Sequence, residues 1–108
     1  MIWDIDYTED AAQDLQDIYD YIADVLLEPV IAAKQLNRIM DAVDTLGHMP
    51  FRYHSYDKEP WCAKGLRILP VDNYLIYYLP IESKKTVSVI RIMYGGRDID
   101  KQLKNLNE

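Results

Sequence analysis

Hydrophobic and polar residues along the chain change period several times, and each change marks an element. At the start, Trp3, Ile5 and Tyr7 alternate with Asp4 and Asp6, the pattern of a half-buried strand. Thr8 then offers an N-cap, and Glu9 and Asp10 suit the first turn of a helix. Ala11, Leu15, Ile18, Tyr19, Ile22 and Val25 recur at helical spacing among aspartates, which predicts an amphipathic helix from about Glu9 to Leu26. Pro29 opens a second helix with the stripe Ala32, Leu36, Ile39, Met40, Val43 and Leu46, closed by Gly47 and Pro50. The short link between the two predicts an antiparallel helical hairpin.

From Phe51 to Lys64 the periodicity is lost, and a loop rich in aromatics is expected, packed on the body by Phe51, Tyr53, Tyr56 and Trp61. Three strands follow. Leu66 to Leu69 is apolar apart from Arg67, Pro70 to Asn73 is a turn cluster, and Tyr74 to Leu79 is a run of β-formers ended by Pro80. Thr86 to Tyr94 is the third strand, stopped by Gly95 and Gly96. Their connections are too short for crossover helices, so the pairing is antiparallel. The expected order is β-α-α-β-β-β in one α+β domain over 1–108. A helical hairpin covers one face of an antiparallel sheet, the other face is left for water, Tyr and Arg or a partner, and a short helix is expected over Ile99 to Leu106.

Charge alters this picture by its distribution. The net charge is −6, but residues 1–57 carry −9 and residues 58–108 carry +3. An acidic first half is the solvated face of two helices, and a basic sheet half suits an anionic or acidic partner. The single cysteine, Cys62, excludes a disulfide framework and fits a reducing, cytoplasmic setting. No apolar run reaches membrane length, and the Asp-rich start has no secretory character.

Chemistry-bearing groups are sparse. His48 and His54 lack the tight spacing and partners of a metal site, so no metal is expected. Cys62 beside Trp61 reads as a small packed residue, and Gly95-Gly96 lacks the Gly-Lys-Ser that would make a phosphate loop. No cofactor is expected. The cations that interrupt or follow apolar strands, Arg67, Arg91 and Arg97, must pair, snorkel or face a target. Arg67 and Arg91 have acids such as Asp72 as internal partners within reach of the sequence pattern. Tyr94 stands at a strand end, beside Arg97.

The chain resembles the RelE/ParE superfamily of toxins from type II toxin–antitoxin systems. The resemblance is carried by Tyr7-Thr8-Glu9-Asp10-Ala11-Ala12-Gln13-Asp14-Leu15, by Gly65-Leu66-Arg67-Ile68-Leu69, by Asn73-Tyr74-Leu75-Ile76-Tyr77-Tyr78, and by Ile90-Arg91-Ile92-Met93-Tyr94-Gly95-Gly96-Arg97-Asp98. It spans nearly the whole domain. It implies the family's order of strands, with the N-terminal strand beside the last one and Leu66 to Leu69 at an edge. It also implies one of two activities, inhibition of DNA gyrase in ParE-like members or ribosome-dependent mRNA cleavage in RelE-like members, with a cognate antitoxin as partner. A third role is that of a non-toxic member that only binds its antitoxin in a repression complex. Metal-free RNA cleavage needs cations for the phosphate. The positions here that match the family's middle-strand cations are Leu66, Ile68 and Leu75, all apolar, which favours the ParE-like side. Arg97 matches a cation of the family, and with it Tyr94 at the strand end and Arg67 in the basic sheet half are the candidate target-contacting or catalytic residues. Arg91, Arg67 and Arg97 are the candidate contacts for an acidic antitoxin tail.

Overall fold

Thr8 joins the first strand to the first helix and shows how local chemistry sets this fold. Its Oγ1 accepts from the Ala11 amide at 3.1 Å, capping the helix, and donates to the Ile90 carbonyl at 2.9 Å on a strand 82 residues away. The structure, a computed structural model, describes residues 2–56 and 58–95. In it β1 (Asp4–Tyr7) leads into α1 (Glu9–Asp20), one turn of π-helix (Tyr21–Val25), α2 (Pro29–Asp44) and a 3₁₀ turn (Thr45–Gly47). A four-residue helix α3 (Trp61–Lys64) precedes β2 (Arg67–Val71), β3 (Tyr74–Ile81) and β4 (Thr86–Tyr94). The helix expected over Ile99 to Leu106 lies outside the described residues.

The four strands form one sheet in the order β1-β4-β3-β2, so β1 lies beside the last strand and β2 is an edge. β2, β3 and β4 are antiparallel neighbours, as their short connections require. β1 runs parallel to β4, from Asp4 opposite Thr86 to Tyr7 opposite Val89, so the sheet is mixed rather than wholly antiparallel. A parallel pair needs a long connection, and here the helices, the loop and two strands provide it. Pro80 does not end β3; it pairs with Val87 inside the strand. β2 runs alongside β3 only as far as Tyr78, so one side of β3 is open there and a residue without an N–H is tolerated.

Both helices pack on one face. Ala11, Ile39, Val43 and Leu46 meet Leu69, Ile76, Tyr78, Val87, Val89 and Ile92 in the main core. Gly47 lies where the hairpin returns to β1: its carbonyl accepts from the Trp3 amide at 2.8 Å, and a Cβ there would stand 2.9 Å from the Trp3 carbonyl oxygen. The π-turn breaks the phase of the helical stripe. Val25, expected inside, is 63% exposed, and Leu26 and Leu27 are also exposed at the tip. Met40 likewise points to solvent from α2.

The opposite face is not left open for water or a partner. Tyr56, Trp61, Leu66, Tyr77 and Met93 form a second buried cluster there, joined by Ile68, Leu75, Leu79 and Ile90. The aromatic loop folds across this face, ties to β2 through the Ile68 amide on the His54 carbonyl at 3.1 Å and to the residue before it through the Tyr56 amide on the Leu66 carbonyl at 2.8 Å, and ends in α3. Gly65, with φ at 87°, closes α3 in the left-handed conformation that suits glycine.

Candidate functional site

β1 stops opposite Val89, so the last residues of β4 have no strand on that side. α1 fills the gap with one carboxylate. Asp14 Oδ2 accepts from the Ile92 amide at 2.9 Å and from Arg91 Nε at 2.7 Å, and Oδ1 accepts from Arg91 Nη2 at 2.9 Å. Both side chains are nearly buried, 13% exposed for Arg91 and 10% for Asp14. The bidentate bond from Asp14 raises the Arg91 pKa above its ordinary value against the cost of burial, helped by the charges of Asp10 and Asp17. This pair clamps α1 to the end of β4.

The clamp forms the back of a groove of about 800 Å³ between the hairpin tip and the strand ends. Ile18, Tyr21, Ile22 and Leu26 form one wall, Ile31 and Gln35 the second, and Tyr74, Ile92 and Tyr94 the floor. Tyr94 lies edge-on to Tyr74, with centroids 5.9 Å apart, and is half exposed. Burial, then the neighbouring Tyr94 and Tyr21, pushes the Tyr74 phenol up.

Arg67 lies at the far end of the sheet. It sits opposite Tyr78, whereas Tyr94 sits opposite Tyr74, four residues away and about 13 Å along the strand. Arg67 Nη1 donates to the Tyr53 carbonyl at 2.6 Å and the Phe51 carbonyl at 3.3 Å, and its guanidinium lies 5.3 Å from the centroid of the Phe51 ring. It pins the aromatic loop to the edge strand. The fold therefore does not bring Arg67 and Tyr94 together, and Arg91 faces inward to Asp14 rather than outward to a partner. Arg97 lies outside the described residues. Asp72 pairs with Arg38 instead, Nη2 to Oδ1 at 2.7 Å, and with Gln35 at 3.0 Å. The Arg38 bond, then that of Gln35, holds its carboxyl at about 2.

Asp14 escaped the sequence reading although a signal was present. It falls inside the stripe Ala11, Leu15, Ile18, where a lone carboxylate has to find a buried cation. The place of the groove at the hairpin tip had no such signal, because the π-turn beside it is not encoded in hydrophobic period.

Among the described residues, no group of three His, Cys, Asp or Glu is placed to hold a metal ion, and no helix is long and apolar enough to cross a membrane. Three phenols respond to burial. Tyr7 is pushed from 10.0 up to about 12 by burial and then by Asp44, and Tyr74 and Tyr78 are also raised. A pKa raised by folding means stability that is full below pH 10 and lost as the pH climbs to about 12. Urea midpoints should therefore fall across that window, and the fall should be shallower in Tyr7→Phe.

The fold has known counterparts. Residues 5–99 match the family model of the ParE toxin of the type II toxin–antitoxin system parDE. The chain belongs to the ParE toxin family. It is thus a type II toxin–antitoxin toxin of the RelE/ParE superfamily. A chain of the chromosomal ParDE system from P. aeruginosa is 25% identical, covering 86% of this chain and 96% of its own, with a TM-score of 0.70. A free-state arginine mutant of the E. coli toxin RelE superposes at TM-score 0.69 and 13% identity, over 98% of this chain and 99% of its own. A chain of a RelBE complex from Mycobacterium tuberculosis gives 0.62 and 19%, over 87% and 92%. These two share the fold. No curated protein matches the chain.

Proposed function

We propose that this ParE-family toxin acts in the cytoplasm as an inhibitor of DNA gyrase, is not a nuclease, and is neutralised by a cognate antitoxin. The family match and the ParDE relative support the ParE-like side over the RelE-like one. The observation that carries the reading is the state of the sheet cations. A metal-free nuclease has to present cations to a scissile phosphate. Here Arg67 is held by two loop carbonyls and Arg91 by a buried carboxylate. Leu66 is buried, and Ile68 and Leu75 pack in the second core under the aromatic loop, so these positions hold no cation and present none to a phosphate. The net charge of −6 also opposes binding to the ribosome's phosphate backbone.

Expression without the antitoxin tests this. A DNA-damage response with protein synthesis initially intact supports gyrase as target. An immediate stop in protein synthesis supports the RelE-like reading, and unimpaired growth supports a member that only binds its antitoxin.

Tyr94 and Arg97 are the residues proposed to meet the target. Tyr94 is exposed where β4 ends, and Arg97 follows it by three residues in the sequence. An antitoxin seated in the groove covers Tyr94, which gives neutralisation by occlusion. Tyr94→Ala or Arg97→Ala should each weaken gyrase inhibition about 30-fold, the cost of truncating a hot-spot contact. A double variant that is folded and fully toxic would place the active surface elsewhere.

A further inference from the structure

The groove and the hairpin tip form one apolar surface with an acidic border. Tyr21, Leu26 and Ile31 line the groove while remaining 54%, 52% and 51% exposed. Val25, Leu27 and Val30 continue the surface around the tip at 63%, 77% and 66% exposure. So much large apolar side chain in one place marks a contact surface rather than scattered surface residues. Leu27 holds a φ of 57°, uncommon for leucine, and this sharp turn keeps its side chain at the outer end of the tip.

The border is predominantly acidic. Between Glu9 and Asn37 the chain has seven acids and one lysine, Lys34. The charged residues lining the groove are Asp14 and Asp17, with no lysine or arginine among them. Asp14 is neutralised by Arg91, but Asp10 and Asp17 also act on that guanidinium, so one cation faces three carboxylates. Asp24 and Glu28 stand exposed at the tip. A second copy of this chain would bring two acidic borders together across the apolar surface, at an electrostatic cost.

We infer that the antitoxin segment seated in this groove is a basic amphipathic helix, with an apolar stripe on the groove floor and lysines or arginines against Asp17 and Asp24. The inference rests on the antitoxin reading above and deepens it. It also reverses the charge expected of the partner. An acidic tail drawn to Arg67 and Arg91 finds both guanidiniums already held, whereas a basic helix meets the exposed carboxylates of Asp17, bonded to the neutral Gln13 at 2.8 Å, and of Asp24. Helix-in-groove recognition supplies affinity through the apolar stripe, and the rim charges decide which helix is accepted.

The test uses two designed helical peptides of about 18 residues, five turns. They share one leucine stripe and carry either lysine or glutamate beside it. Binding to the full chain is followed by fluorescence anisotropy. The lysine peptide should bind about tenfold tighter at low salt, as a few exposed charge pairs provide. The preference should shrink towards unity near 1 M salt, where the screening length is about 3 Å. Asp17→Asn with Asp24→Asn should remove the preference and leave the glutamate peptide's affinity unchanged or improved. Leu26→Ser with Ile31→Ser should weaken both peptides. Equal binding of the two peptides, a preference for the glutamate one, or no binding of either would overturn the inference. So would self-association of the full chain that the lysine peptide does not displace, because the groove would then belong to a second copy. Failure of the protein encoded beside this toxin to suppress toxicity, with the lysine preference intact, would count against the antitoxin reading alone.

Discussion

Replacing Asp14 by alanine should cost about 3–5 kcal/mol of folding stability, the usual penalty for breaking a buried ion pair from one side. The change strands the Arg91 guanidinium, which is only 13% exposed, and removes the acceptor of the Ile92 amide. Three hydrogen bonds of 2.7–2.9 Å are lost together. For a domain of this size each kcal/mol moves Tm by about 4–8 °C, so thermal unfolding reads the effect easily. Asp14→Leu combined with Arg91→Met should recover much of the loss, because apolar residues of similar size remove the unpaired charge. A cost below about 1 kcal/mol for Asp14→Ala would show that Arg91 reaches water or another acid, and that the clamp does not hold α1 to β4.

Trp61→Ala should be comparably severe, at about 3–5 kcal/mol, for a different reason. Trp61 is the large side chain that α3 inserts beside Tyr56, Leu66, Tyr77 and Met93. Removing it leaves a cavity under a loop whose other anchors include Arg67 on the Phe51 and Tyr53 carbonyls, the backbone bonds from Tyr56 and Ile68, and Phe51 edge-on to Trp3. The loop should then open to limited proteolysis between residues 51 and 65 before the rest of the chain unfolds. Wild-type resistance to proteolysis and stability within about 1 kcal/mol would mean that the second face is not a core at all.

These two sites also separate what the sequence made legible from what it did not. Alternation at Trp3, Ile5 and Tyr7, the Thr8 cap, Pro29 at the head of α2 and the β-branched run from Thr86 are local signals, and each produced its element. The edge position of β2 followed from family resemblance, not from period. Long-range facts left weaker traces. The parallel pairing of β1 depends on which strand end meets Thr86, and no local pattern records that. The aromatic loop was expected to pack on the body, but which face Tyr56 and Trp61 would cover was not legible, because they are five apart and follow no period. At the candidate site, Tyr94 was found by its place at a strand end, and the structure leaves it exposed. Arg67 and Arg91 attracted attention as cations in apolar strands. Their partners were backbone carbonyls and an aspartate 77 residues away, which sequence separation hides.

The central claim is that this ParE-family toxin acts on gyrase and does not cut RNA. Purified toxin, freed of antitoxin, should be added in parallel to a gyrase supercoiling reaction and to ribosomes stalled on a defined mRNA. The account predicts loss of supercoiling, or trapped gyrase–DNA cleavage complexes, with the mRNA intact. Cleavage of the mRNA in the ribosomal A site with gyrase unaffected would contradict it.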